Sequence, residues 1–92
     1  MKTDYLKPNL LEGGKITRWP KKVVDKKSVL KYISTKIPMG QIFSEMDINE
    51  IIIKNISFED HVLIRREMVV KGFLRRTNDC REYWRATEND IE

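Results

Sequence analysis

The apolar residues in the middle of the chain recur every three or four positions, which predicts amphipathic helices. The first predicted helix covers about 24–36, and Pro38 and Gly40 end it. The second begins after Ser44, a residue type that caps helix N-termini, and acidic residues follow at the positive end of the helix dipole. Its apolar stripe consists of Ile48, Ile51, Ile52 and Ile56.

A third helix is predicted from Glu59 or Asp60 to Lys71, with Gly72 ending it in the left-handed conformation. Two faces of this helix compete for the core. One face contains Ile64 and Met68, and the competing face contains Val62, Val69 and Val70.

Strands are predicted on both sides of the helices. Residues 73–77 and 82–85 flank a loop of about four residues over 78–81, which is a hairpin pattern. Before the helices, 16–19 is β-prone and stops at Pro20, which predicts a short edge strand. Tyr5, Leu6, Leu10 and Leu11 provide apolar groups through which the N-terminal segment can dock on the body.

This order of elements is that of a winged helix-turn-helix. The predicted fold is α+β, a three-helix bundle with a C-terminal β-hairpin and a short N-terminal strand. We expect an N-terminal arm over 1–14, the folded domain over 15–86 and a polar tail over 87–92.

The composition limits the function classes. Ninety-two residues, of which 40% are hydrophobic, suffice for one small core and leave little room for a catalytic cleft. The residues form no phosphate loop and no nucleophilic triad, and with one cysteine and one histidine there is no metal site, so we expect neither an enzyme nor a cofactor. No stretch is long enough to span a bilayer, and we expect a cytoplasmic protein.

Four sequence segments resemble, in order and spacing, the bacterial family called domain of unknown function 2087. The segments are RWPKK at 18–22, FSE at 43–45 with INEII at 48–52, IRREMV at 64–69 with GFLRR at 72–76, and YWR at 83–85. Family members occur alone or joined to helix-turn-helix regulator domains. The resemblance implies a winged-helix-like fold and a role in transcriptional regulation, without an established activity.

The chain departs from the family pattern at the tip of the hairpin. The family usually has Asp-Gly there, whereas Asp79 is followed by Cys80. Glycine tolerates a positive φ angle at no steric cost and cysteine does not. Either the turn geometry differs in this chain, or Asn78 or Asp79 takes the left-handed position.

The basic residues yield the candidate DNA contacts. The net charge is +4, and the cations cluster in 14–27 and in 61–77. Side chains of the third helix enter the major groove in a helix-turn-helix protein, and Arg66 is the candidate there. The predicted DNA-binding set is Lys21, Lys22, Arg66, Arg75, Arg76 and Arg81.

For other residues of the same segments, the sequence predicts structural roles. We expect Arg65 to pair with an acid of the second helix, such as Asp47 or Glu50, because a partly buried guanidinium needs a partner. Trp19 and Trp84 are interpreted as core residues.

The alternative function is a protein–protein interaction module on the same scaffold. Leu63 and Val70 fall on the outward face of the third helix, where aliphatic side chains are poor neighbours for phosphates. Glu59 and Asp60 at the start of that helix would repel a nucleic-acid backbone. The partner is then a regulator protein or a second copy of the chain, with no membrane or metal involved.

Overall fold

The computed structural model describes residues 6–87, and Tyr5 and the predicted tail beyond Thr87 lie outside them. The fold is α+β, with three helices between two small antiparallel hairpins. The helices are α1 (Val23–Ser34), α2 (Glu45–Lys54) and α3 (His61–Val70). The strands are β1 (Leu11–Glu12), β2 (Lys15–Ile16), β3 (Leu74–Arg76) and β4 (Tyr83–Arg85).

Local hydrogen bonds fix the ends of α2 and α3 as the sequence predicts. The Ser44 hydroxyl accepts from the Asp47 N–H at 3.1 Å, and the Asp60 carboxylate accepts from the Leu63 N–H at 3.3 Å. At the other end of α3, Gly72 has a φ of 88°. The Phe73 N–H then donates to the Met68 carbonyl at 2.8 Å, which completes a Schellman cap.

The core lies among the three helices and is closed by both hairpins. Ile64 and Met68 are fully buried, so the first of the two predicted faces of α3 is the core face. The alternative prediction, in which the face with Val62 and Val70 is buried, is wrong, because 74% of Val70 and 41% of Val62 are exposed. The other fully buried or nearly buried apolar side chains include Leu10, Ile16, Val29, Leu30, Ile33, Ile37, Ile48, Ile52, Phe73, Leu74 and Tyr83.

The segment that precedes the helices packs on the body of the domain. Leu10 is only 1% exposed, and β1 turns through two glycines into β2. The predicted strand over 16–19 is shorter than expected, because β2 ends at Ile16. The Thr17 N–H still donates to the Leu10 carbonyl at 2.9 Å, in register with the pairing of β1 and β2. The Ile16 N–H donates to the Asn55 carbonyl at 2.8 Å, which ties β2 to the connection between α2 and α3.

The C-terminal hairpin gains a third partner from a distant part of the chain. In β3 and β4, Arg75 lies opposite Trp84, and Arg76 lies opposite Tyr83. Phe43, just before α2, exchanges two backbone hydrogen bonds of 2.8 Å with Tyr83. The ladder order is therefore Phe43, then β4, then β3.

Candidate nucleic-acid interface

A shallow groove of about 290 Å³ joins the end of α3 to the C-terminal hairpin. The Schellman cap directs the chain from the helix straight into β3, which places helix and strand side chains side by side. The groove is lined by Val69, Gly72, Leu74, Arg75, Arg76 and Asn78. Two of the predicted phosphate contacts, Arg75 and Arg76, thus line the same groove, although they lie on opposite faces of β3.

Both arginines of β3 are exposed, but they differ in orientation because side chains alternate along a strand. Arg76 shares a face with Tyr83, and its guanidinium donates to the Thr77 carbonyl at 3.0 Å. Arg75 shares the opposite face with Trp84. Trp84 is half-buried and does not pack against the core, so the prediction that it is a core residue is wrong. The neighbouring residue Tyr83 is buried in the core instead.

Arg65 and Arg66 on α3 have different surroundings. The Arg65 guanidinium donates to the Asn49 side-chain oxygen and lies 3.3 Å from the Glu45 carboxylate. Its partners are thus on α2 as predicted, although they are not Asp47 or Glu50. Glu45 and Asn49 are four residues apart, and this spacing places them on the same side of α2, which faces α3.

Arg66 is exposed and, within residues 6–87, makes no hydrogen bond or ion pair. It is therefore available to an external partner. The neighbouring surface of α3 is apolar at Val62 and Val70, whereas Leu63 is half-buried. Glu59 is exposed before the helix begins, and the Asp60 carboxylate is engaged as the N-cap.

Tyr83 anchors the hairpin beside the Arg65 contacts. Burial raises the pKa of its phenol, and the Glu45 carboxylate raises it further, while the Arg65 guanidinium opposes both. The phenol therefore stays protonated and packs as a core residue. Side chains of α2, α3 and β4 meet at this point, which fixes the hairpin relative to α3.

The tip of the hairpin is held by Asp79. Its carboxylate accepts from the Thr77 hydroxyl at 2.7 Å and from the Arg81 N–H at 3.1 Å, and these bonds lower its pKa. The Arg81 guanidinium lies 3.7 Å from the same carboxylate, so part of its charge is offset. Cys80 itself has a φ of 61° and occupies the left-handed position, which neither Asn78 nor Asp79 takes.

Lys21 and Lys22 lie apart from this surface. They line a cavity of about 380 Å³ at the start of α1, hereafter the α1 cavity, which shares no residue with the groove beside α3. Its other lining residues are Lys7, Asn9, Leu10, Arg18, Trp19, Pro20 and Asp25. Lys7 was not predicted as a site residue, because it falls in the predicted arm. The docking of that segment brings the Lys7 ammonium to within 3.3 Å of the Asp25 carboxylate.

Residues 6–87 contain no group of three or more His, Cys, Asp or Glu side chains that could hold a metal ion. No helix among them has the length and apolar character needed to cross a membrane.

Comparison with known proteins identifies one family. Its description is "Uncharacterized protein conserved in bacteria (DUF2087)", and its model matches residues 15–85. Neither a curated protein nor a solved structure matches the chain. The match covers most of the chain and includes all three helices and the C-terminal hairpin. The chain therefore belongs to this family of uncharacterised bacterial proteins.

Proposed function

We propose that the protein is a winged-helix domain that acts in transcriptional regulation in the cytoplasm and binds duplex DNA. The observation that supports this most directly is the pair of hydrogen bonds between Phe43 and Tyr83. In a winged helix, a short strand between the first two helices pairs with the last strand of the hairpin. Phe43 stands at that place in the chain, and β4 is its partner.

In this proposal α3 enters the major groove and the hairpin follows the sugar–phosphate backbone. Arg66 is the groove contact, since it is exposed and free of partners among the described residues. Arg75 and Arg76 at the neighbouring groove, with Arg81 at the tip, neutralise phosphates.

The sequence also predicts Lys21 and Lys22 as phosphate contacts. Because they line a separate cavity, the proposed DNA surface does not depend on them.

The test is a fluorescence-anisotropy titration of labelled genomic duplex fragments at several salt concentrations. We expect binding at low salt that weakens steeply as salt rises, because released counterions drive phosphate contacts. The double variant Arg75→Gln/Arg76→Gln should lower the slope of log K against log salt by about 2, roughly 1 for each lost phosphate contact.

The matched control is Lys27→Gln/Lys54→Gln, which removes two exposed cations outside the groove. It should leave the slope within about 0.5 of the parent value, since only contacting charges contribute to it. Absence of binding at low salt, or equal losses in the two double variants, would rule out the proposed surface.

A second candidate function, a protein-interaction module, is favoured by the apolar exposure of α3. Val62 and Val70 flank Arg66, and aliphatic side chains there suit a protein partner, either a regulator or a second copy. Leu63, predicted for the same role, is half-buried. Light scattering tests for a second copy, and a pull-down tests for a regulator, with Val70→Asp as the negative control in both. A protein that is monomeric and binds no partner in the pull-down contradicts this candidate.

A further inference from the structure

We propose that the α1 cavity binds the phosphate group of a small ligand, at a site separate from the surface formed by α3 and the hairpin. This inference does not depend on DNA binding, because the two surfaces have no residue in common.

The charges that line the α1 cavity are mostly positive and mostly unpaired. It contains four cationic side chains and one carboxylate. That carboxylate belongs to Asp25, which is 8% exposed and already lies 3.3 Å from the Lys7 ammonium. The other cations, Arg18, Lys21 and Lys22, have no hydrogen bond or ion pair within residues 6–87.

Cations that share a cavity repel one another, and a bound anion relieves that repulsion. The balance of charge differs at another surface cavity, of about 670 Å³, whose lining includes one lysine, Lys15, and one carboxylate, Glu59. It differs also at the tip of the hairpin, where Arg81 is accompanied by Asp79 and Glu82. The α1 cavity is therefore better suited to an anion than either of these two.

The remaining lining suits a ligand with an apolar part. Leu10 and Pro20 are buried, and Trp19 is half-buried with the Lys26 ammonium 5.8 Å from the centre of its ring. A cavity of about 380 Å³ lies in the usual range for small-molecule sites. Arg18 adds a planar guanidinium, which suits a phosphate through paired hydrogen bonds.

The geometry thus points to a phosphate ester with a flat organic group, and adenosine monophosphate is the probe we choose. The chain has two tryptophans, so Trp84→Phe leaves Trp19 as the only indole reporter. We expect saturable quenching of Trp19 fluorescence by adenosine monophosphate, weaker binding of inorganic phosphate, and at least 10-fold weaker binding of uncharged adenosine.

Substitution of cations that line the α1 cavity should lower the affinity for adenosine monophosphate without changing the fold. Lys21→Gln/Lys22→Gln should weaken binding of adenosine monophosphate at least 10-fold, while circular dichroism stays as in the parent. Arg75→Gln/Arg76→Gln and Lys27→Gln/Lys54→Gln should leave this affinity within twofold, since none of these four residues lines the cavity. In the parent chain, the ligand should raise the thermal midpoint in a concentration-dependent manner.

Three results would overturn the proposal. The first is that neither adenosine monophosphate nor inorganic phosphate binds. The second is that all three double variants lose affinity for adenosine monophosphate equally. The third is that only duplex DNA binds and that Lys21→Gln/Lys22→Gln weakens this binding, in which case the cavity is part of a DNA surface. Failure of DNA binding alone contradicts the proposed function and leaves this inference standing.

Discussion

Arg65 and Arg66 are adjacent in sequence, yet their side chains point to different surroundings. Arg65 is held against α2 by Asn49 and Glu45, whereas Arg66 is exposed to solvent. Successive residues of a helix are rotated by about 100°, so neighbouring arginines need not share a role. The pairing of Arg65 with α2 was predictable because a guanidinium at the core edge needs an acceptor. The identity of the acceptors depends on how the two helices cross.

Substitution of the two arginines should separate stability from binding. Arg65→Ala should lower the free energy of unfolding by about 2 kcal/mol, because it removes charged hydrogen bonds in a half-buried setting. Arg66→Ala should change it by less than about 0.5 kcal/mol, as expected for an exposed side chain without partners. Urea denaturation measures both values. Equal destabilisation by the two substitutions would contradict the structure.

Cys80 occupies a backbone conformation that favours glycine. Its φ of 61° places it in the left-handed region, which glycine enters at no steric cost and a residue with a Cβ does not. The bonds that Asp79 makes to Thr77 and to the Arg81 N–H hold the neighbouring turn in shape. The sequence left two alternatives open, a different turn geometry or a left-handed Asn78 or Asp79, and in the structure Cys80 takes the left-handed position instead.

A pair of substitutions at this position tests the backbone conformation. Cys80→Gly and Cys80→Ala both remove the thiol, so the difference between them reports mainly the φ angle. Cys80→Gly should be more stable than Cys80→Ala by about 1 kcal/mol, because alanine is strained in the left-handed region. Thermal unfolding under identical conditions provides the comparison. The reverse order would mean that residue 80 has a negative φ angle.

At the scale of the elements, local chemistry accounts for α2 and α3. Ser44 and Asp60 each cap a helix with a side chain, and Gly72 ends α3. These interactions span only a few residues, so they could be predicted from the sequence to within one or two positions. The first helix lacks a side-chain cap at Lys22, and its predicted end at 36 is two residues beyond the observed one.

The cap of α2 can be tested alone. Ser44→Ala should lower the free energy of unfolding by about 1 kcal/mol, since the Asp47 N–H loses its side-chain acceptor. Ser57→Ala is the matched control, because Ser57 is exposed and lies outside the helices. Denaturant midpoints compare the two variants. A loss at Ser57 as large as at Ser44 would contradict the capping role.

At the scale of the whole molecule, the N-terminal segment is part of the core. Leu10 is buried, and β2 is bonded to the connection between α2 and α3. Residues 1–14 were predicted as an arm that Pro8 and two glycines interrupt, with apolar side chains that can dock on the body. The structure shows this docking at Leu10, and the distant parts of the chain that bury Leu10 could not be identified from local patterns.

Truncation of Leu10 measures how strongly this segment stabilises the domain. Leu10→Ala should lower the free energy of unfolding by about 3 kcal/mol, the usual loss for a buried leucine. Val70→Ala is the matched control; it shortens an aliphatic side chain that is 74% exposed and should cost less than about 0.5 kcal/mol. A small loss at Leu10 would mean that the segment does not contribute to the core.

The sequence by itself determined the helices, the C-terminal hairpin and the family, and it left two faces of α3 as candidates for the core. The helices, the hairpin and the family follow from short-range features, namely helical spacing, caps, turn residues and ordered motifs. The tertiary structure alone decided the bridge from Phe43 to Tyr83, the outward position of Trp84 and the separation of Lys21 and Lys22 from the surface beside α3. These features depend on contacts between residues far apart in the chain, which are set by packing rather than by local pattern.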